Sequence, residues 1–284
     1  MLFWSGNWVV GRGIRGDVPP IALSFWRWSL ALLCLLPWAW RPLLAQRQDL
    51  ARHWRLLAAL GVAGGACHNA MTYLGLSLTT ATNGVLLASA TPIMIIALSW
   101  ALFGKRLGLL AWSGVVLSLA GIVTIVARGD LASLLALGLN RGDVWVLAAM
   151  LSWALYTVLL TRRPAALHPY AFLAVICMTG LLGLAPFYAW EIASGQLIRP
   201  SAEAYWAILY AGIFPALLGF IFWNRAVAEL GSNTACLFMN LMPAIGTLMA
   251  IAFLGEEPRL FHLIGIVLIL SGVALSTQQK SARR

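Results

Sequence analysis

The stretch Thr79–Val126, TTATNGVLLASATPIMIIALSWALFGKRLGLLAWSGVVLSLAGIVTIV, returns 151 places later as Leu230–Thr277, LGSNTACLFMNLMPAIGTLMAIAFLGEEPRLFHLIGIVLILSGVALST, without a gap. Ten of the forty-eight pairs are identical, among them Pro92 with Pro243, Gly104 with Gly255, Gly114 with Gly265 and Gly121 with Gly272. The proline and glycine matches carry the most information, because they mark backbone positions where a helix bends or another helix comes close. Upstream the same shift pairs Gly61 with Gly212, Gly65 with Ala216, Thr72 with Trp223 and Gly75 with Ala226. A shift of 149 then pairs Trp4 with Trp153, Pro20 with Pro169 and Pro37 with Pro186. Two copies of a five-segment unit follow, residues 1–128 and 141–277, separated by one two-residue insertion.

The segments are membrane spans. Hydrophobic residues make up 61% of the 284 and charged residues 10%, against about 45–50% and about 25% in soluble domains. The apolar runs last about 20 residues and do not alternate, so helices rather than a barrel satisfy their backbones in lipid. The expected fold class is an all-α integral membrane protein with ten transmembrane helices in two inverted five-helix repeats. The spans read as Leu2–Ile14, Pro20–Trp40, Trp54–Ser77, Thr80–Phe103, Leu107–Ala127, Gly142–Arg162, Pro169–Trp190, Ala204–Asn224, Ser232–Leu254 and Leu260–Thr277. The longest connections fall near Arg41–His53 and Gly129–Arg141. Span 1 is too short to cross about 30 Å at about 1.5 Å per residue. Its full-length repeat partner makes a shortened first helix the expectation, and a cleavable leader is not indicated, for want of a basic start and a small-residue cleavage site.

The net charge of +10 comes from Lys and Arg standing singly or in pairs between apolar runs. That pattern fits membrane topology better than nucleic acid, which is not an expected partner. Alternate loops hold twelve and six of the basic residues, with Arg27 left inside a span, which predicts a multi-pass protein of the inner (plasma) membrane with both termini cytoplasmic. An odd number of spans per repeat sends the second copy through from the opposite face. Such pairs enclose a midplane site open to alternate sides.

Candidate site residues follow from cost and symmetry. Polar and aromatic residues inside spans are expensive in lipid and face other helices or a wet cavity. Projected at about 100° per residue, span 3 puts His68 and Thr72 on a stripe with Gly61, Gly64, Gly65 and Gly75, with Asn69 and Tyr73 beside it. The related stripe on span 8 carries Trp223, followed by Asn224. Spans 1 and 6 offer Trp4 and Asn7, and Trp153 and Tyr156, on matched faces. Spans 4 and 9 carry Pro92 and Pro243, candidate hinges that each free a helix carbonyl, with Ser89, Thr91 and Asn240 near them. Each has a plain structural alternative: glycines allow close packing, a proline makes a static kink, His68 is a satisfied core histidine, and Arg27 holds carbonyls and rings of a neighbour. Cys34, Cys67, Cys177 and Cys236 have no Cys or His partner at metal-ligand spacing, so no metal and no cofactor is expected. His68 stands nearly alone, where an enzyme gathers several reactive groups at one depth.

Ten spans in two inverted fives, the opening Trp4-Ser5-Gly6-Asn7-Trp8-Val9-Val10-Gly11, the Val18-Pro19-Pro20 turn with Phe25-Trp26-Arg27-Trp28, and the block from Ala90-Thr91-Pro92 to Gly104 resemble the EamA branch of the drug/metabolite transporter superfamily. Within it the chain looks most like the YddG-type bacterial exporters of aromatic and other neutral amino acids. The resemblance implies a basket of helices around a central cavity formed by spans 1, 3, 4, 6, 8 and 9, a small-molecule substrate, the lipid bilayer as surroundings, and no enzymatic activity; the chain is read as a monomer. Four-helix relatives that expel cationic drugs carry a Glu in their first span, whereas the one acid in spans 1 and 6 here is Asp143, at the very end of span 6. Export of another small metabolite or drug, or a membrane role without transport, remains the alternative.

Overall fold

The structure, a computed structural model, describes residues 1–13, 17–79, 81–127, 140–254 and 257–277. Of the residues named above, Ile14, Thr80, Gly129 and Gly255 lie outside these ranges, as do the side chains of Trp8, Val9 and Leu254. The described residues form α1 (Leu2–Gly13), α2 (Pro20–Ala45), α3 (Arg47–Arg52), α4 (Trp54–Leu60), α5 (His68–Leu78), α6 (Ala81–Ala88), α7 (Thr91–Phe103) and α8 (Leu109–Val126). After the connection come α9 (Arg141–Leu160), α10 (Pro169–Ala193), α11 (Ala202–Ala211), α12 (Gly219–Leu230), α13 (Ser232–Ala235), α14 (Leu241–Leu254) and α15 (Leu260–Thr277). Among the described residues, seven helical stretches are long and apolar enough to cross a membrane. Leu33, Trp38, Leu182, Phe222 and Val267 point outward, which in water would make an aggregating surface and in lipid is the expected contact face. The protein is an all-helical, multi-pass membrane protein.

Three expectations need correcting. Span 2 does not stop at Trp40: α2 runs on to Ala45 through Pro37 and Pro42, and most of the expected connection Arg41–His53 is helical, as the end of α2 and α3. Spans 3 and 8 are not uniform α-helices, since a π-helical segment joins α4 to α5 at Gly61–Cys67 and another joins α11 to α12 at Gly212–Leu218. Span 4 is broken at Ser89-Ala90, so Pro92 sits in the first turn of α7 rather than inside a continuous helix; in span 9 a 3-10 segment, Cys236–Asn240, precedes α14 and Pro243.

The two π-helical segments lie 151 residues apart, the sequence shift itself. Their surroundings match as well. A Cβ at Gly61 would press on Thr179 and the Ile176 carbonyl of α10, and one at Gly212 on Leu30 and the Arg27 carbonyl of α2. Shifting Arg27 and Leu30 by 149 gives Ile176 and Thr179. Span 3 therefore packs on span 7 and span 8 on span 2, across the two copies. α8 and α15 run antiparallel, with Gly114 against Gly272 and Gly121 against Gly265, backbone to backbone with no room for a side chain.

Local signals fix the ends. Gly104 closes α7 at φ 66°, the left-handed geometry that glycine adopts without strain. The Glu191 carboxylate of α10 accepts from the Ile21 and Ala22 N–H groups at 3.0 and 2.6 Å, capping the start of α2 from another helix. The Asn140 side chain accepts from the N–H groups of Gly142 and Asp143, while Asp143 accepts from the Asn140 N–H and from the Thr79 hydroxyl at the end of span 3. Replacing Asn140 by alanine is expected to cost about 1 kcal/mol, read as a lower thermal midpoint in detergent; an unchanged midpoint would show that the cap contributes nothing.

Candidate functional site

Rings from five spans meet at one place. Trp153 of α9 is the centre, with ring centroids 5.2 Å from Trp4, 4.9 Å from His68, 5.2 Å from Tyr156, 5.4 Å from Phe220 and 5.6 Å from Trp223. Trp28 of α2 packs edge-on against Phe220 at 4.7 Å. Trp4 and Trp153 are equivalent under the 149 shift and touch edge to face. Equivalent residues can meet only where the two copies meet, so this cluster lies at the contact between them. These separations and tilts are those at which aromatic pairs attract beyond simple burial.

Polar atoms in the cluster are unevenly satisfied. Trp4 Nε1 donates to the Pro215 carbonyl at 3.0 Å and His68 Nδ1 lies 3.1 Å from the Ala149 carbonyl. The Nε1 atoms of Trp28, Trp153 and Trp223 are buried with no partner, as is the Thr157 hydroxyl. A buried N–H without an acceptor costs about 1–3 kcal/mol, so three such donors in one aromatic cluster are a feature that needs a reason.

Beside the rings is a polar group. Arg27 Nη1 donates to Asn69 Oδ1 at 3.0 Å and to the Tyr73 hydroxyl at 3.1 Å, and Asn7 Nδ2 donates to the same hydroxyl at 3.3 Å. In the other copy the Tyr156 hydroxyl donates to Asn224 Oδ1 at 2.5 Å. The shifts map Asn7 onto Tyr156 and Tyr73 onto Asn224. The same Asn–Tyr hydrogen bond thus joins span 1 to span 3 and span 6 to span 8, with its two residues exchanged.

The structure brings Trp4, His68, Trp153, Tyr156 and Trp223 together, and links Asn7 with Tyr73. It assigns Ser89 and Thr91 to local bonds at the break in span 4, where their hydroxyls donate to the Leu86 and Ala88 carbonyls. Ala88 is the residue four before Pro92, so the carbonyl freed by that proline is taken by the Thr91 hydroxyl. Asn240 ends the 3-10 segment, buried, with Nδ2 unpartnered. Met242, next to Pro243, accepts from the Ser5 hydroxyl at 3.1 Å. Sequence reasoning missed Phe220, although the shift maps it onto Asn69, a position the polar residues of span 3 had already marked. Among the described residues no three of His, Cys, Asp and Glu gather as a metal site.

Similar proteins agree with this architecture. An uncharacterized transporter of Archaeoglobus fulgidus is 29% identical over 99% of this chain and 95% of its own length. A probable terminal-alkyne amino-acid exporter of Streptantibioticus cattleyicolor is 28% identical over 85% of this chain and 79% of its own. A solved crystal structure superposes with a TM-score of 0.77 at 22% identity, covering 100% of this chain and 95% of the other, a likeness of fold alone. The sequence pattern of the EamA-like transporter family matches residues 1–127 and again 140–278. With both copies accounted for, the chain belongs to the EamA-like transporter family, a family of membrane transporters and not of enzymes.

Proposed function

We propose that this transporter exports small neutral metabolites, foremost aromatic and other neutral amino acids, from the cytoplasm across the plasma membrane, as YddG-type members do. The observation that carries the reading is the ring cluster built by both copies, with three buried indole N–H donors that have no protein acceptor. Rings stack on an aromatic side chain, while hydroxyls and amides such as those of Tyr73 and Asn240 meet ammonium and carboxylate ends. The amino-acid exporter of S. cattleyicolor, at 28% identity, supports the substrate class.

The mechanism we infer is alternating access between two inverted five-helix repeats, residues 1–128 and 141–277, that together make ten crossings with both termini in the cytoplasm. The rings touch one another here, so a substrate enters only when Trp4 of the first repeat parts from Trp153 and Trp223 of the second. The breaks ahead of Pro92 and Pro243 are the hinges of that motion; they adjoin, with Cys236 Sγ 3.9 Å from the Pro92 carbonyl. No acid lies deep in a span, and His68 is engaged with Ala149 and Trp153, so substrate moves down its own gradient.

Exchange of labelled phenylalanine and leucine in proteoliposomes tests both parts. Exchange is expected without an imposed pH gradient and in His68→Ala. Failure to exchange any amino acid overturns the substrate reading, and accumulation that needs the gradient and is lost in His68→Ala overturns the facilitator.

A further inference from the structure

Arg27 is only 3% exposed, and arginine keeps its positive charge in proteins. The one ion pair among the described residues joins Arg225 to Glu229 on the surface, so no described carboxylate answers Arg27. Its two hydrogen-bond partners, Asn69 and Tyr73, are neutral and both bind Nη1, while the Trp28 ring centroid lies 6.0 Å from Cζ. Nε is buried with no partner, and Nη2 makes no hydrogen bond to a described residue. The Nε–Nη2 edge is the side of a guanidinium that takes a carboxylate through two parallel hydrogen bonds. A charge buried inside a membrane protein without compensation costs several kcal/mol, and such residues mark substrate paths.

The group around Arg27 is held in place. Asn69 Nδ2 donates to the Gly64 and Gly65 carbonyls at 3.1 and 3.0 Å, which turns its oxygen toward the guanidinium, and Asn7 steadies the Tyr73 hydroxyl. Three helices each give one residue to the rings and a near neighbour to this polar group: Trp4 and Asn7, Trp28 and Arg27, His68 and Asn69. A positive fork therefore stands beside an aromatic cluster.

We propose that Arg27 is the anion anchor of the transport path, taking the carboxylate of a substrate whose apolar side chain lies on the neighbouring rings. The proposal rests on the transport reading above and narrows its substrates to carboxylates, with or without an amino group. An arginine that merely ties α1, α2 and α5 together would make no such selection.

The decisive measurement uses the unaltered protein in proteoliposomes with phenylalanine, leucine, 3-phenylpropanoate, phenylalaninamide and phenethylamine. The carboxylates are expected to exchange at least about tenfold faster than the amide and the amine, the difference one charge-assisted pair supplies. Phenethylamine moving as fast as phenylalanine overturns the anchor and leaves the transport reading standing. Exchange of 3-phenylpropanoate without phenylalanine or leucine overturns the amino-acid reading and keeps the anchor, and no exchange of any carboxylate overturns both. Asn7→Asp adds a negative charge one hydrogen-bonded residue away from the guanidinium, and is expected to suppress carboxylate exchange while the thermal midpoint holds. Arg27→Gln is expected to lose exchange that Arg27→Lys partly keeps. Wild-type exchange in a folded Asn7→Asp or Arg27→Gln protein counts against the anchor.

Discussion

Export of phenylalanine is expected to disappear in Trp153→Ala and to fall at least about tenfold in Trp153→Phe, although the second variant should be the more heat-stable protein. Trp153 touches five other rings. Removing it leaves a cavity where both copies meet, at a cost of about 3–5 kcal/mol for a buried tryptophan. Phenylalanine keeps a ring in contact with those neighbours but has no N–H. That N–H has no acceptor among the described residues, so its loss relieves a penalty of about 1–3 kcal/mol. If a substrate oxygen is the missing acceptor, the same change removes a bond from the loaded state. Stability and transport then move in opposite directions, a pattern that simple damage to packing does not produce. The check pairs thermal unfolding in detergent with proteoliposome exchange; a less stable Trp153→Phe with undiminished transport would refute the role of the indole nitrogen.

Gly61→Leu and Gly212→Leu should each prevent most of the protein from folding. A Cβ at Gly61 lies 2.8 Å from Thr179 Cβ and 2.9 Å from the Ile176 carbonyl, and one at Gly212 lies 3.0 Å from Leu30 Cβ and 3.1 Å from the Arg27 carbonyl. Overpacking costs about 1–3 kcal/mol when side chains can move aside, and more when the obstacle is a neighbouring backbone. The expected readout is loss of the monodisperse peak after solubilisation for both variants. Thr179→Ala should rescue Gly61→Ala only in part, because the Ile176 carbonyl stays where it is. Normal behaviour of Gly212→Leu beside a failing Gly61→Leu would break the equivalence of the two packings.

The repeat and the helical positions were legible because they rest on one-dimensional signals. Apolar length locates a span in lipid whatever surrounds it, and the matched prolines and glycines mark fixed backbone positions; spans 9 and 10 end within the residues expected. The residues that come together in the rings, Trp4, His68, Trp153, Tyr156 and Trp223, were visible as costly groups in matched spans. Their contacts were not, and the cause is local. A π-helical segment, with hydrogen bonds from i to i+5, turns more slowly than an α-helix, so a projection at about 100° per residue loses phase across Gly61–Cys67. Gly61 and Gly65 turn to α10, whereas Gly64 turns to Tyr156 and Gly75 to α9, in place of one common stripe. Phe220, an ordinary apolar residue in an apolar helix, carried no cost signal of its own. The run of α2 to Ala45 through two prolines was hidden because, in membrane helices, packing neighbours and local adjustments can satisfy the carbonyls that proline frees.

The crossed packing of span 3 on span 7 and span 8 on span 2 sets an order for biogenesis. When the ribosome has delivered residues 1–127, the glycine face at Gly61 and Gly65 has no partner until α10 follows. α2 waits longer, for Gly212. Neither copy alone holds the helix its glycine face packs on, so an incomplete protein is expected to persist until late in synthesis. Two genes encoding the halves separately should restore one working molecule only when both are expressed in the same cell.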